Sequence, residues 1–356
     1  MNILRFSSTV RRFCTNISTA NVVEVPHLPV MASEVLEYLK PKKDEVILDM
    51  TFGSGGHSRK ILNLEPTVKI LAVDRDPLAF SYAQQLAEEF PNRVIPLLGK
   101  FSEIPKLLNQ NGFNKGSLDS ILFDFGCSSM QFDIAERGFS ILKNGPLDMR
   151  MDGNRDPGVP TAADVLSNCT EEDLYKIIKY YGEERQARKI ARTIIESRYL
   201  FKKLTTTEEL ADLVESVIEK DGKIDEKTHK KKHVATKTFQ ALRIFVNNEL
   251  NEINYGLLLA HHYLKIGGKL VTITFHSLED TIVKRHISGN MVENCANPLP
   301  LKFSSHNYNA NVDEVNKIME SKWKMLHKHV IVPTDEEVEN NSRSRSAKLR
   351  AAIKVR

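Results

Sequence analysis

The stretch DMTFGSGGHS, Asp49 to Ser58, lies between an apolar run, Val46-Ile47-Leu48, and a helix-compatible run, Arg59-Lys60-Ile61-Leu62. Glycine is disfavoured inside both strands and helices. Gly53, Gly55 and Gly56 in so short a stretch therefore mark a sharp bend or a close approach of the backbone to something else. A turn from strand into helix also aims backbone N–H groups at whatever binds there. Two ligand classes use such a turn, dinucleotides and S-adenosylmethionine. The dinucleotide fingerprint GxGxxG is not matched, because Ser58 stands where its third glycine belongs.

Working outward, four strand-like runs occupy the first third: Glu45–Met50, Val68–Val73, Val94–Leu98 and Ser120–Phe125. Helix-compatible segments, Ser58–Leu64, Pro77–Phe90 and Glu103–Gln110, separate them. Strands alternating with helices predict a parallel, doubly wound α/β sheet. The alternation stops at about Ile134, and the pattern to Lys232 is helical. Thr170 opens a capping box ahead of a helix through Tyr180, with Glu183–Tyr199 and Thr207–Ile218 as further helices. Residues 134–234 are therefore expected to form a helical domain inserted between 24–133 and 235–356. A single long helix is expected from Ala235, with Phe239, Leu242, Val246, Leu250, Ile253, Leu257 and Leu264 on one face and Gly267-Gly268 ending it. Lys269–Phe275, Lys328–Val332 and Leu349–Val355 read as strands, and 290–311 as a loop.

The 356 residues are 41% hydrophobic and 27% charged, ordinary for a soluble globular enzyme, and no apolar stretch is long enough to span a membrane. Cys14, Cys127, Cys169 and Cys295 are scattered, which argues against a zinc site and a disulfide framework. Residues 1–23 carry Arg5, Arg11 and Arg12, many Ser and Thr, and no acid before Glu24, the composition of a mitochondrial targeting segment; an incidentally basic tail is the plainer alternative. With 50 Lys+Arg against 46 Asp+Glu, removing those three arginines leaves a net charge of only +1, so any nucleic-acid binding rests on local clusters. The clusters are Lys220–Lys232, including Lys230, Lys231 and Lys232, and the six Lys/Arg between Arg343 and Arg356. A lysine run is otherwise an ordinary solvated face.

Several residues stand out chemically. Asp74 ends the second strand 19 positions after Gly55, where a carboxylate can accept both ribose hydroxyls of an adenosine. Asp76-Pro77 already supplies the helix cap, which leaves Asp74 for that role. Phe101 either lies against a purine ring or packs in the core. Asp124 ends the fourth strand, at the sheet edge where open α/β sheets bind ligands. Past the fifth strand, Ser277 and Asp280 have cap spacing, whereas His276 and Glu279 are candidates for substrate contact or proton acceptance. In GPLDMRMD, Asp148 and Arg150 either pair to hold a loop or lie over a bound base.

Taken in order, HLPVMASEVLEYL (from His27), TFGSGGHSRKIL, DRDP, FDFGCSSMQFD, ERGFS, GPLDMRMD, TAADVL, YGEERQARKIARTI, TFQALRIFVNNEL, FHSLED and RSAKLR resemble the bacterial RsmH/MraW-type methyltransferases. These methylate the exocyclic amine of a cytidine in small-subunit ribosomal RNA. With the basic leader, the chain looks like a mitochondrial relative, and the resemblance runs from His27 to the C-terminus. It implies a Rossmann-like class I methyltransferase fold interrupted by a helical domain. It also implies S-adenosylmethionine contacts at Gly55, Gly56, His57, Asp74, Phe101, Asp124 and Gln131. Three positions depart from the family pattern: Ser54 replaces a glycine, Cys127 an aliphatic residue, and HVATKTFQ a stretch that usually carries proline and arginine. The (S/N/D)PP(Y/F/W) turn of many amine methyltransferases is also absent; Asp124-Phe125-Gly126-Cys127 stands there.

The resemblance, with the basic leader, implies N4-methylation of a cytidine in mitochondrial small-subunit rRNA, or in its assembly intermediate, in the mitochondrial matrix. Assembly factors are expected as further partners, with no metal and no membrane. Two other classes remain open: an RNA-binding assembly factor that does not need catalysis, and a methyltransferase acting on DNA or a small molecule.

Overall fold

A computed structural model describes residues 28–200, 203–218, 233–289, 291–292, 295–296 and 322–356. The expected targeting segment, the lysine cluster with Lys230, Lys231 and Lys232, and most of the expected loop at 290–311 lie outside the described residues.

After α1 (Ala32–Leu39) the chain alternates as the glycine stretch implied: β1 (Val46–Asp49), α2 (Gly56–Leu64), β2 (Lys69–Asp74), α3 (Pro77–Glu89), β3 (Val94–Leu98), α4 (Ile104–Gln110) and β4 (Leu118–Asp124). The helical stretch follows: α5 (Ser129–Asp133), α6 (Ala162–Asn168), α7 (Glu171–Tyr181), α8 (Ala187–Leu200), α9 (Thr207–Val217), α10 (Thr236–Asn247) and α11 (Glu249–Tyr263). The sheet resumes with β5 (Leu264–Thr274), then α12 (Ser277–Ser288), a short ribbon β6 (Met291–Val292) and β7 (Cys295–Ala296), β8 (Trp323–Met325), α13 (Asp335–Asn340) and β9 (Lys348–Lys354).

The main sheet has the order β3-β2-β1-β4-β5-β9-β8. Strands β1 to β5 run parallel, and β9 is antiparallel to both β5 and β8. Two apolar clusters cover the two faces of the sheet. A parallel sheet covered on both faces needs near-continuous apolar strands, which Ile121-Leu122-Phe123 provides with at most 1% exposure. The strand order reverses between β1 and β4, so the ligand crevice of this architecture opens over Asp49 and Asp124.

The helices of the insert start on threonine caps. Thr161, Thr170 and Thr206 accept the N–H groups of Asp164, Asp173 and Glu209, and each such cap is worth about 1 kcal/mol. Their own core joins Leu174 and Ile178 of α7, Ile190 and Ile194 of α8, and Leu210 and Val214 of α9 with Phe239, Leu242 and Val246 of α10. Helix α10 thus packs with the insert, while Ile253 and Leu257 of α11 pack on the sheet.

Three expectations need correction. The single long helix from Ala235 is two helices, broken at Asn248 with φ 51°. The break is held by Asn247, whose side chain accepts from Met151 N at 2.7 Å and donates to Met149 O at 2.7 Å. Leu264 is not on that helix but starts β5, and Gly267-Gly268 lie within β5 near a register shift rather than ending a helix. A strand at Lys328–Val332 is replaced by β8 further upstream and an isolated bridge from Ile331 to Leu349. There the His327 ring accepts Ala351 N at 2.8 Å, so a side chain takes the place of a ladder bond.

Candidate functional site

The carboxyl ends of β1, β2 and β4 bring Asp49, Asp74 and Asp124 to one edge. Asp49, 1% exposed, accepts the Ser58 hydroxyl at 2.6 Å and pins the first turn of α2 beneath the glycine loop. Asp74 is only partly buried and accepts two backbone donors, Gly53 N at 2.8 Å and Asp76 N at 2.9 Å. Burial pushes its carboxyl up to about 6, against the pull of those two N–H groups. Asp76 caps α3, as expected from Asp76-Pro77.

Packing beneath the loop also constrains its glycines. Gly55 has φ 81°, and a Cβ there would lie 2.6 Å from the Phe52 ring. A Cβ on Gly56 would lie 3.1 Å from Pro29. At Gly55 the Phe52 ring would have to move, and at Gly56 Pro29 would have to give by a few tenths of an ångström. At Gly53, with φ 56°, a Cβ would meet only ordinary contacts, the nearest heavy atoms being 4.0 Å away.

Two buried polar atoms here lack a hydrogen-bond partner: His57 Nε2, on a residue 7% exposed, and Asp124 Oδ1. The other Asp124 oxygen is 3.6 Å from His57 Nε2. The backbone of Asp124 is fixed by donating to the Thr51 hydroxyl at 2.6 Å. An unpaired buried acceptor and donor on one crevice wall are costly unless a ligand completes them. With Asp74 at the same sheet edge, this donor and acceptor set fits an adenosine bearing a charged amino-acid tail.

Gln131 and Phe101 already have structural partners. Gln131 is 3% exposed; its amide donates to Asp76 at 2.9 Å and its carbonyl accepts Ser128 N at 3.2 Å. Arg137 reaches the same Asp76 oxygen at 2.7 Å. Sequence reasoning missed this Asp76–Gln131–Arg137 network, because neither its pairing nor its burial has a local signature. Phe101 meets Phe123 edge-on at 5.4 Å and Phe125 at 6.3 Å, which is core packing with one side left exposed.

Asp148 and Arg150 pair with each other through two bonds, at 2.9 and 2.7 Å. Their loop is further tied to the sheet edge by Arg75 and Lys100, each 3.4 Å from the fully buried Asp152. The pair ties its own loop together.

At the end of β5 the cap is His276, not Ser277. Its ring accepts Glu279 N at 3.4 Å, and the Glu279 carboxylate accepts Phe275 N at 2.7 Å and His276 N at 3.3 Å. This overturns the expectation that capping leaves His276 and Glu279 unexplained. Asp280 instead binds Arg350 at 2.8 and 3.1 Å. Glu279 is fully buried and belongs to a charged cluster. Arg243 donates to Glu249 at 2.8 and 2.9 Å, lies 3.7 Å from Glu279, and neighbours Cys127. Burial alone would raise the Glu279 carboxyl, but His276 and Arg243 outweigh it and hold it below the usual range. Burial pushes the Cys127 thiol up to about 12, which keeps it protonated. Ligand atoms of Glu249, His276 and Glu279 all lie within 4.8 Å of one another, and the Arg243 guanidinium supplies the positive charge beside them.

Residues 24–355 match the model of the MraW methylase family. A Drosophila melanogaster protein described as a probable methyltransferase-like protein 15 homolog is 56% identical over 340 residues, covering 95% of each chain. A Bos taurus protein named 12S rRNA N(4)-cytidine methyltransferase METTL15 is 48% identical over 337 residues, covering 92% of this chain and 83% of its own. A Culex quinquefasciatus protein described as a putative receptor-type tyrosine-protein phosphatase, mosPTP-1, is 56% identical over 331 residues. The present chain is matched over 93% of its length there but spans only 22% of that larger protein.

Proposed function

The chain belongs to the MraW methylase family, and from that premise we propose that it transfers a methyl group from S-adenosylmethionine to N4 of a cytidine in the 12S-type rRNA of the mitochondrial small subunit. The observation that carries the cofactor reading is the pair of unpartnered buried atoms, His57 Nε2 and Asp124 Oδ1, beside Asp74 on one crevice wall. The 12S rRNA naming of the Bos taurus relative supports the substrate, and the acid-free leader supports the compartment, the matrix. No helix among the described residues is long and apolar enough to cross a membrane.

S-adenosylmethionine, when bound, supplies an electrophilic methyl group on sulfur. The rest of the chemistry falls to the chain. Asp74 accepts the ribose hydroxyls. Asp124 takes the ammonium of the methionine tail on its unpaired oxygen, with His57 beside it. Gln131 acts one step back, holding Asp76 and through it the turn that presents Asp74. Phe101 closes the purine side with its exposed edge. A cytosine amine is a weak nucleophile because its lone pair is conjugated into the ring, so alignment is the main demand; positioning supplies about 7–11 kcal/mol in such cases. His276 and Glu279 serve that demand by fixing the start of α12 at the catalytic edge. Asp148 and Arg150 hold the loop above it. The helical unit that carries the RNA includes α10 and so extends from about residue 134 to Asn247; Lys230, Lys231 and Lys232 of this unit are proposed to contact RNA phosphates.

The test is nuclease digestion and mass spectrometry of mitochondrial small-subunit rRNA from a null line, with and without the re-expressed chain. N4-methylcytidine is expected only with it. A null line that keeps the modification would overturn the assignment. Re-expression of Gly55→Asp, which drives bulk and charge against Phe52, separates enzyme from assembly factor: restored mitochondrial translation without methylation would favour the assembly factor. Residues 1–23 fused to a fluorescent reporter are expected to deliver it to mitochondria, and a cytosolic reporter would remove the targeting role.

A further inference from the structure

The chain just before α1 lies against the glycine loop. The Pro29 ring covers Gly56 so closely that a Cβ there would lie 3.1 Å from it. Val30 and Met31 are buried in the same apolar cluster as Phe52 and Ile61, which flank the loop. Met31 has φ 51° and ψ 39°. A non-glycine residue in the left-handed region is strained and persists only where its surroundings hold it. Two side chains from the far end of the sequence hold this stretch. The Glu337 carboxylate accepts Met31 N, and the Asn341 amide donates to Leu28 O at 3.0 Å. Residues 28–31 thus form a strap. It is pinned at one side to α13 and its cap residue Asn341, and rests at the other on the first turn of α2.

The turn beneath the strap is the one assigned above to the charged tail of the cofactor. Helix geometry leaves the first N–H groups of α2 without intrahelical partners, an arrangement that suits a carboxylate. His57, in that turn, carries the unpartnered Nε2 and faces Asp124 at 3.6 Å. Glu337 is also within electrostatic reach of the imidazole. Burial raises the Glu337 carboxyl and Glu34 adds to the rise, while the Met31 N–H and the His57 ring pull against it. At the ribose end Asp74 is held by different donors, Gly53 N and Asp76 N. The strap therefore bears on one end of the ligand and not on the other.

We propose that Glu337 is a positioning residue for the amino-acid tail of S-adenosylmethionine, acting through the strap at 28–31 that it clasps onto the glycine loop. The assignment rests on the cofactor reading above. The carboxylate does not touch the ligand. It fixes Met31 in its left-handed conformation, Met31 sets the place of Pro29, and Pro29 sets how Gly56 and the His57 ring stand toward the tail. Without the clasp the strap relaxes to an ordinary backbone conformation, and the first turn of α2 loses its cover. Holding the turn in its binding geometry before the ligand arrives lowers the ordering cost of binding.

The test is calorimetric titration of the full chain with two ligands: S-adenosylmethionine, and methylthioadenosine, the same nucleoside without the amino-acid tail. Glu337→Ala is expected to weaken S-adenosylmethionine binding about tenfold, the loss of one charge-assisted hydrogen bond, and to leave methylthioadenosine within about twofold. A merely structural role would weaken both alike. Glu337→Gln keeps an oxygen for Met31 N and should recover most of the loss. Pro29→Ala removes the ring that rests on Gly56 without touching α13, and should show the same selective loss. It keeps the proposal testable should Glu337→Ala fold poorly. Methylthioadenosine bound at wild-type affinity reports an intact fold in each variant. Unchanged S-adenosylmethionine affinity in Glu337→Ala and Pro29→Ala, or an equal loss for both ligands, would overturn the proposal. So would Glu337→Gln binding as weakly as Glu337→Ala. Wild-type protein that binds S-adenosylmethionine, with variants that show no selectivity, would sink the strap alone. Wild-type protein that binds neither ligand would sink the strap and the cofactor reading together.

Discussion

Asp74→Ala is expected to weaken S-adenosylmethionine binding by about 100-fold or more. Hydrogen bonds to a charged group are worth about 1.5–3 kcal/mol each, and on the proposed role of Asp74 the variant removes two acceptors for the ribose hydroxyls. It also frees Gly53 N and Asp76 N, the donors that Asp74 holds at 2.8 and 2.9 Å, so the loop loses its tether. Calorimetric titration checks this; wild-type affinity in the variant would remove Asp74 from the site. Asp74→Asn separates the two losses, because its amide oxygen still accepts but carries no charge. A pH series adds a second readout. Burial pushes the Asp74 carboxyl up to about 6. Cofactor affinity should therefore fall as the pH drops through about 6 and the charged acceptor is protonated, and Asp74→Asn should flatten that fall. For folding the sign is opposite. A raised carboxyl contributes stability that is fully present below its unfolded value, near 3.8, and is lost as pH rises through about 6. The ligand-free protein is thus expected to lose some stability over the range in which it gains cofactor affinity.

The placing of these residues at one sheet edge was legible because its signals are local. Gly53-Ser54-Gly55-Gly56 announces a turn, Asp74 ends the next strand 19 positions after Gly55, and Asp124 follows the apolar run Ile121-Leu122-Phe123. Each is a statement about neighbours in sequence. The parallel sheet was legible for the same reason, since alternating apolar runs and amphipathic segments permit few topologies. What stayed hidden depends on contacts distant in sequence. Asn247 breaks a helix that its periodicity would continue, because its amide is needed 96 residues back, at Met151 N. His276 is an uncommon cap residue, so Ser277, a preferred type, drew the assignment that the imidazole actually fills. The reason for Gly55 was likewise invisible, because it lies in where the Phe52 ring folds beneath the loop.

Arg243→Leu is expected to cost about 3–5 kcal/mol of stability, the range for breaking a buried ion pair from one side. The guanidinium side chain, 14% exposed, holds Glu249 at 2.8 and 2.9 Å and faces the fully buried Glu279 at 3.7 Å. Without it two carboxylates remain in a dry space next to Cys127, with only His276 beside Glu279. Glu249 lies at the start of α11 and Glu279 at the start of α12, so the loss loosens the two helices that brace the sheet's catalytic edge. The pH dependence identifies the cause. In the wild type Glu279 is held below the usual carboxylate range, so its contribution is present above its unfolded value, near 4.5, and is lost only as pH falls through the lower folded value. In the variant the loss of Arg243 raises the Glu279 carboxyl, and acid then relieves the unpaired charge. The stability gap between the two proteins should therefore narrow from pH 7.5 to pH 5, measured by urea unfolding. A gap that is large and constant with pH would indicate lost packing of the long side chain in place of an uncompensated charge. Arg243→Lys provides the finer comparison: it keeps the charge but not the two-pronged geometry on Glu249, and should recover part of the loss. Full recovery would show that charge alone sets this cluster and that the fork adds nothing.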